Sequence, residues 1–208
     1  MTEFTMEIDL YALLMRHAVS PWHLSDFDRP LIEGADQSIH KVADQIKAYS
    51  MQAQSSFNLS HIHMLCVSPA RRTQETYNIL AQYWHAQGQM LPIHIDQNED
   101  LYLANAHTWV NRLYNLALIP HPSFSDHASN SNTLTPQTPD TPQRSDTPQT
   151  PYVACMIGHN PGISHCITSL TNQRIGLREA EAVLLHVCLS DWSQLEITPW
   201  SVLAHFKP

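Results

Sequence analysis

The chain is short of positive charge, with 11 Lys and Arg against 19 Asp and Glu and a formal net charge of −8 over 208 residues. That balance does not provide a broad electrostatic grip on nucleic acid or anionic lipid. Neither is expected as a partner, and any anion chemistry must rest on a few local cations. Long apolar runs are also lacking, since no stretch approaches the roughly 18 to 20 residues needed to span a bilayer. The opening MTEFTMEIDLYALLMRH is acidic ahead of a short apolar run that ends in Arg-His, which is not the form of a secretory signal. A cytoplasmic location is the default expectation. There is no CxxC pair either: Cys66, Cys155, Cys166 and Cys188 are far apart. Cys66 and Cys155 lie inside apolar runs, which predicts structural thiols.

The length suits one α/β domain with an embellishment and is ample for a sizeable core. Leu10 to Met15 form an apolar segment of strand length that stops at Arg16-His17. Met64 to Val67 repeat the arrangement and stop at Ser68-Pro69; Val153 to Ile157 repeat it again and stop at Gly158-His159-Asn160. Such runs read as buried parallel strands that deliver polar side chains to their carboxyl ends.

Helical patterns separate them. Ile39, Val42, Ile46 and Tyr49 share one helix face. Ser68 as N-cap and Pro69 as first helical residue introduce a helix bearing Tyr77, Leu80 and Trp84, and Asn160-Pro161 does the same for Ile163 and Ile167. A further helix starts near Asn105, with Trp109, Leu113 and Leu116 inward. Val183 to Leu189 and Leu195 to Trp200 read as closing strands, their order in the sheet not being legible. The fold class expected is an α/β three-layer sandwich, a mostly parallel sheet with helices on both faces. His121 to Pro151, with five Thr-Pro dipeptides and almost no large apolar residues, suits neither helix nor central strand and reads as an exposed, largely disordered insertion.

Ligand sites of open α/β sheets form at the carboxyl ends of strands. Here those ends supply Arg16, His17, Ser68, Arg72 and His159. Two guanidiniums and two imidazoles suit a compact anion such as a phosphoryl group. A neutral imidazole can attack phosphorus near neutral pH, and His17 is placed for that role if its other ring nitrogen is held by a backbone carbonyl. Arg16 and Arg72 would bind non-bridging oxygens and His159 would add a donor. His61-x-His63 lacks a clearly placed third ligand, so no metal is expected, and no cofactor is implied.

The runs LLMRHAVS (13–20), VSPARRTQET (67–76) and IGHNPG (157–162) together resemble the three main motifs of the histidine phosphatase superfamily, the phosphoglycerate mutase-like fold. DRPLIEG (28–34) and EDLYLA (99–104) resemble its SixA-like phosphohistidine phosphatase branch. The resemblance covers nearly the whole chain outside 121–151 and implies a single domain, 1–208, interrupted by that insertion. It implies that His17 is phosphorylated and then dephosphorylated by water, with Arg16, Arg72 and His159 in the phosphate pocket and no metal required. The implied substrate is a phosphorylated protein histidine, such as that of a histidine-containing phosphotransfer domain; a small phosphate ester, or phosphate binding without catalysis, are the alternatives.

Arg71 stands one position early and reads as a surface cation. Arg29 is either a substrate-binding residue at the entrance or a structural partner of Asp26 or Asp28, and Ser68 is a further candidate for substrate binding. Glu99 and Asp100 are the candidate general acids. The family usually has Arg-His-Gly where this chain has Arg16-His17-Ala18. Ala18 is harmless at negative φ and damaging at positive φ. Oligomeric state is not readable.

Overall fold

The computed structural model describes residues 7–22, 25–89, 91, 95–119 and 150–208. All but Thr150 and Pro151 of the Thr/Pro-rich insertion therefore lies outside the described residues.

Alternation along the strands builds two cores. In β1 (Ile8–Arg16), Leu10, Ala12 and Leu14 face one side and Tyr11, Leu13 and Met15 the other. In β4 (Tyr152–Gly158), Ala154 and Met156 join the first set, while Val153, Cys155 and Ile157 join the second. A strand apolar on both sides must be covered on both faces. The first face is covered by α3 (Ala106–Tyr114) and α4 (Gly162–Thr171), through Trp109, Leu113, Ile163 and Ile167. The second is covered by α1 (Ala35–Ser50) and α2 (Arg71–Ala86), through Ile39, Val42, Ile46, Leu80 and Trp84. The expected three-layer α/β sandwich is the observed architecture.

The sheet is completed by β2 (Met64–Val67), β3 (Ile95–Asp96), β5 (Ala182–Leu189) and β6 (Ser201–Phe206), in the order β3-β2-β4-β1-β5-β6. β3, β2, β4 and β1 run parallel; β5 and β6 are antiparallel additions at one side. In register, Arg16 lies beside Gly158 and Val67 beside Ile157. The residues that follow these positions, His17, Ser68 and His159, therefore emerge together at one edge.

Three local expectations are corrected. Ser68 does not cap α2, which begins at Arg71 after extended Ala70; the Ser68 hydroxyl is committed to His159 instead. α4 starts at Gly162 with Pro161 in the cap position, one residue later than expected. Leu195 to Trp200 is not a strand but a turn. Both ends of that turn are buried, Trp200 Nε1 donating to the Leu195 carbonyl at 3.0 Å, and the last strand follows it.

Gly162 stands where a methyl group does not fit, since a Cβ there would lie 1.7 Å from the carbonyl oxygen of Ala104. Tyr102, two residues upstream of Ala104, has its ring 5.7 Å from that of His159.

Candidate active site

His17 is 5 % exposed. Its backbone is held on both sides, its N–H donating to the Gly158 carbonyl and its carbonyl accepting from Ala180 N–H, each at 3.1 Å. The ring is fixed as well. Nδ1 faces the Ala18 carbonyl at 2.7 Å, and Nε2 accepts from Arg72 Nε at 3.2 Å. A carbonyl only accepts and a guanidinium only donates, so the proton resides on Nδ1 and Nε2 presents a lone pair. Burial pushes the imidazole down to about 3, against the Ala18 hydrogen bond and with help from the charges of Arg72, Arg16 and Arg29. It is neutral across the physiological range.

His159, also buried, packs its ring 5.1 Å from that of His17. Its Nε2 meets the Ser68 hydroxyl at 2.6 Å, and its Nδ1 is buried with no hydrogen-bond partner among the described residues. When the hydroxyl donates to Nε2, the proton sits on Nδ1 and leaves an unused donor. Burial, then Arg72 and His17, push this imidazole down to about 2.

Arg16 donates through Nη1 to the Leu177 carbonyl at 3.1 Å and pairs through Nη2 with Glu179. Its Nε is a second buried donor without a partner among the described residues. Arg72, 1 % exposed, reaches Asp26 Oδ2 through Nη2 at 3.2 Å and the Asp26 carbonyl through Nη1. The Arg71 N–H donates to the Phe27 carbonyl at 3.0 Å, hooking the loop that carries Asp26 onto the first turn of α2. The Arg71 side chain itself is exposed and pairs with Glu75 at 2.7 Å.

Of the other candidates, Arg29 is buried and pairs with Asp26, not Asp28, at 3.0 Å, its guanidinium stacked 4.4 Å over the exposed Trp22 ring. Glu99 and Asp100 are both exposed. Asp100 pairs with Arg112, and no hydrogen bond described for either joins it to His17, His159, Arg16 or Arg72. The carboxylate that does enter is Asp26, and the residue of 99–104 that does enter is Tyr102, whose hydroxyl donates to Asp26 Oδ2. The Tyr102 hydrogen bond, with Arg72 and Arg29, holds the Asp26 carboxyl below its usual range. Positive φ among described non-glycine residues is confined to Leu103, Asn172 and Ala180, so Ala18 is unstrained; its N–H donates to Thr76 Oγ1 at 3.0 Å. Cys66, Cys155 and Cys166 are buried free thiols and Cys188 an exposed one. Among the described residues no three His, Cys, Asp or Glu gather as a metal-binding group, and no helix is long and apolar enough to cross a membrane.

Two neutral buried imidazoles have a consequence for stability. Their folded values lie below the ordinary 6.5, so between about pH 3 and 6 the unfolded chain binds protons that the folded one excludes. Their contribution is complete above pH 6.5 and is lost as pH falls, at up to about 3 kcal/mol per pH unit when both titrate on unfolding. Urea midpoints should drop steeply from pH 7 to 5; an unchanged midpoint would contradict the buried neutral pair.

Comparison with protein-family models and with curated proteins finds no match. Solved structures do match in fold. The protein histidine phosphatase SixA complexed with tungstate superposes with a TM-score of 0.63 at 13 % identity, covering 95 % of this chain and 97 % of that one. A structure assigned as phosphohistidine phosphatase SixA from Agrobacterium tumefaciens gives 0.58 at 16 % identity, covering 95 % and 98 %. A mycobacterial glucosyl-3-phosphoglycerate phosphatase complexed with inorganic phosphate gives 0.50 at 12 % identity, covering 93 % and 95 %. The chain shares the fold of these SixA structures, a phosphoglycerate mutase-like α/β sandwich.

Proposed function

We propose that this protein is a metal-independent histidine phosphatase that removes the phosphoryl group from a phosphorylated protein histidine, within a single domain. The observation that carries the reading is His17 itself, neutral, with Nδ1–H on the Ala18 carbonyl and the Nε2 lone pair facing Arg72. The likeness in fold to SixA structures supports the same reading.

In the first step a phosphoryl oxygen takes over the Arg72 Nε–H and the freed Nε2 attacks phosphorus. The bond to the leaving nitrogen breaks, and that nitrogen takes a proton from solvent. Water then attacks the phosphoryl group on Nε2, releasing orthophosphate and returning His17 neutral. Arg72, the unused Nε–H of Arg16 and the unused Nδ1–H of His159 offset charge on the equatorial oxygens, and the positive ends of α2 and α4 at the same edge add to this.

The leaving group is where protein phosphohistidine is favoured over an alkyl phosphate. An alkoxide calls for a carboxylic acid in contact with the reacting group. Here Glu99 and Asp100 face outward, and Asp26 is held ionised by Tyr102, Arg72 and Arg29. An imidazole leaves without a dedicated acid. With a phosphohistidine carrier domain and a simple alkyl phosphate compared side by side in chelator, the carrier should be preferred in kcat/KM by about two orders of magnitude, the scale of a missing general acid. Equal rates would shift the assignment to a small-molecule phosphomonoesterase.

A further inference from the structure

Asp26 is more than a partner of Arg29. Its Oδ1 accepts from Arg29 Nε at 3.1 Å and pairs with Nη2 at 3.0 Å. Its Oδ2 accepts from Arg72 Nη2 at 3.2 Å and from the Tyr102 hydroxyl, and its backbone carbonyl accepts from Arg72 Nη1. The same Arg72 guanidinium touches the nucleophilic nitrogen through Nε. One carboxylate thus satisfies Arg29 through Oδ1 and, through Oδ2, the guanidinium that meets His17, with charge-assisted hydrogen bonds of the kind arginine also makes to a phosphoryl oxygen.

Exposure decides which group gives way to an incoming anion. The side chains of Arg29 and Arg72 are 5 % and 1 % exposed, whereas that of Asp26 is 46 % exposed. Moving either arginine would strand a buried charge; turning Asp26 outward returns a carboxylate to water. We propose that Asp26 is an internal competitor for the phosphoryl site, holding Arg72 through its carboxylate and releasing it to the substrate, so that Asp26 and its Tyr102 anchor set how tightly the enzyme holds phosphate. The inference rests on the reading of Arg72 and His17 as a phosphate pocket. Its consequence is weak retention of orthophosphate, which opens the site for the next turnover.

A structural strut predicts the opposite sign, because loosened arginines would bind phosphate less well. The test is titration calorimetry of the full chain and its Asp26→Asn, Tyr102→Phe and Arg72→Ala variants with orthophosphate and with tungstate. Asp26→Asn keeps the shape, the backbone carbonyl contact with Arg72 and one acceptor oxygen but removes the competing charge, so its dissociation constants should fall by about tenfold or more. Tyr102→Phe keeps the carboxylate but frees it, and should tighten binding by about threefold, the scale of one hydrogen bond; it carries the test alone if Asp26→Asn fails to fold. Unchanged or weaker binding in these two variants, with wild type binding and Arg72→Ala not, overturns the role of Asp26 and leaves the pocket standing. No oxyanion binding by any form removes the pocket and the competitor together.

Discussion

Replacing His17 with Ala should abolish turnover while leaving the fold intact. The loss expected on removing a nucleophile is on the order of 10⁴- to 10⁶-fold. Retention of the fold follows from the hydrogen bonds that tie this residue to Gly158 and Ala180, both made by backbone atoms that alanine keeps. The variant also removes one of the two buried imidazoles, so the acid-side decline in stability should become shallower by about half. Activity assays and urea titrations at pH 7 and pH 5 on the same preparation check both parts. Residual turnover within tenfold of wild type would remove His17 from the chemistry, and an unchanged pH slope would mean that its ring is not the buried neutral group described.

Arg72 should be nearly as costly to lose, for different reasons. Its three kinds of donor meet three different groups: the His17 lone pair, the Asp26 carbonyl and the Asp26 carboxylate. Arg72→Ala removes the hydrogen bond that orients Nε2 and the donors proposed for the transferring oxygens, and leaves Asp26 to Arg29 and Tyr102. A fall in kcat/KM of about 10³-fold is expected, the scale of losing a preorganised charge-stabilising donor. Arg72→Lys is the sharper variant. A lysine ammonium supplies the charge but not a planar fork able to reach His17 and an oxyanion together, so it should recover less than about tenfold of the loss. Full activity in Arg72→Lys would show that the site needs only a positive charge there.

The parts of this site that were legible in the sequence are those fixed by strand ends. Apolar runs that stop abruptly at Arg16-His17, Ser68 and Gly158-His159 mark parallel strands whose next residues converge, and the register Arg16 beside Gly158 and Val67 beside Ile157 brings them together. Asp26 was legible only as a local partner of Arg29, because its contact with Arg72 spans 46 positions and joins a loop to a helix that no periodicity links. Tyr102 was not legible for a similar reason: the carboxylates of 99–104, Glu99 and Asp100, are the residue types that fit an acid, while the tyrosine two residues on from Asp100 is the one whose hydroxyl reaches Asp26. The last strand was misplaced because hydropathy marks burial and not extension. Leu195 and Trp200 are buried in a turn, whereas β6 is half-exposed at the sheet edge and carries a weaker apolar signal. The Ser68 cap failed for a chemical reason, since a hydroxyl beside an imidazole at the strand ends is drawn to it, and α2 starts two residues later without a side-chain cap.

The most direct test of the account is the chemistry and position of the phosphoenzyme. Wild-type protein mixed with a ³²P-phosphohistidine carrier domain and quenched within milliseconds should carry label that is acid-labile and stable to base, on the peptide containing His17. Turnover without any such label, or label of the acid-stable kind on Ser68, would contradict nucleophilic catalysis by His17.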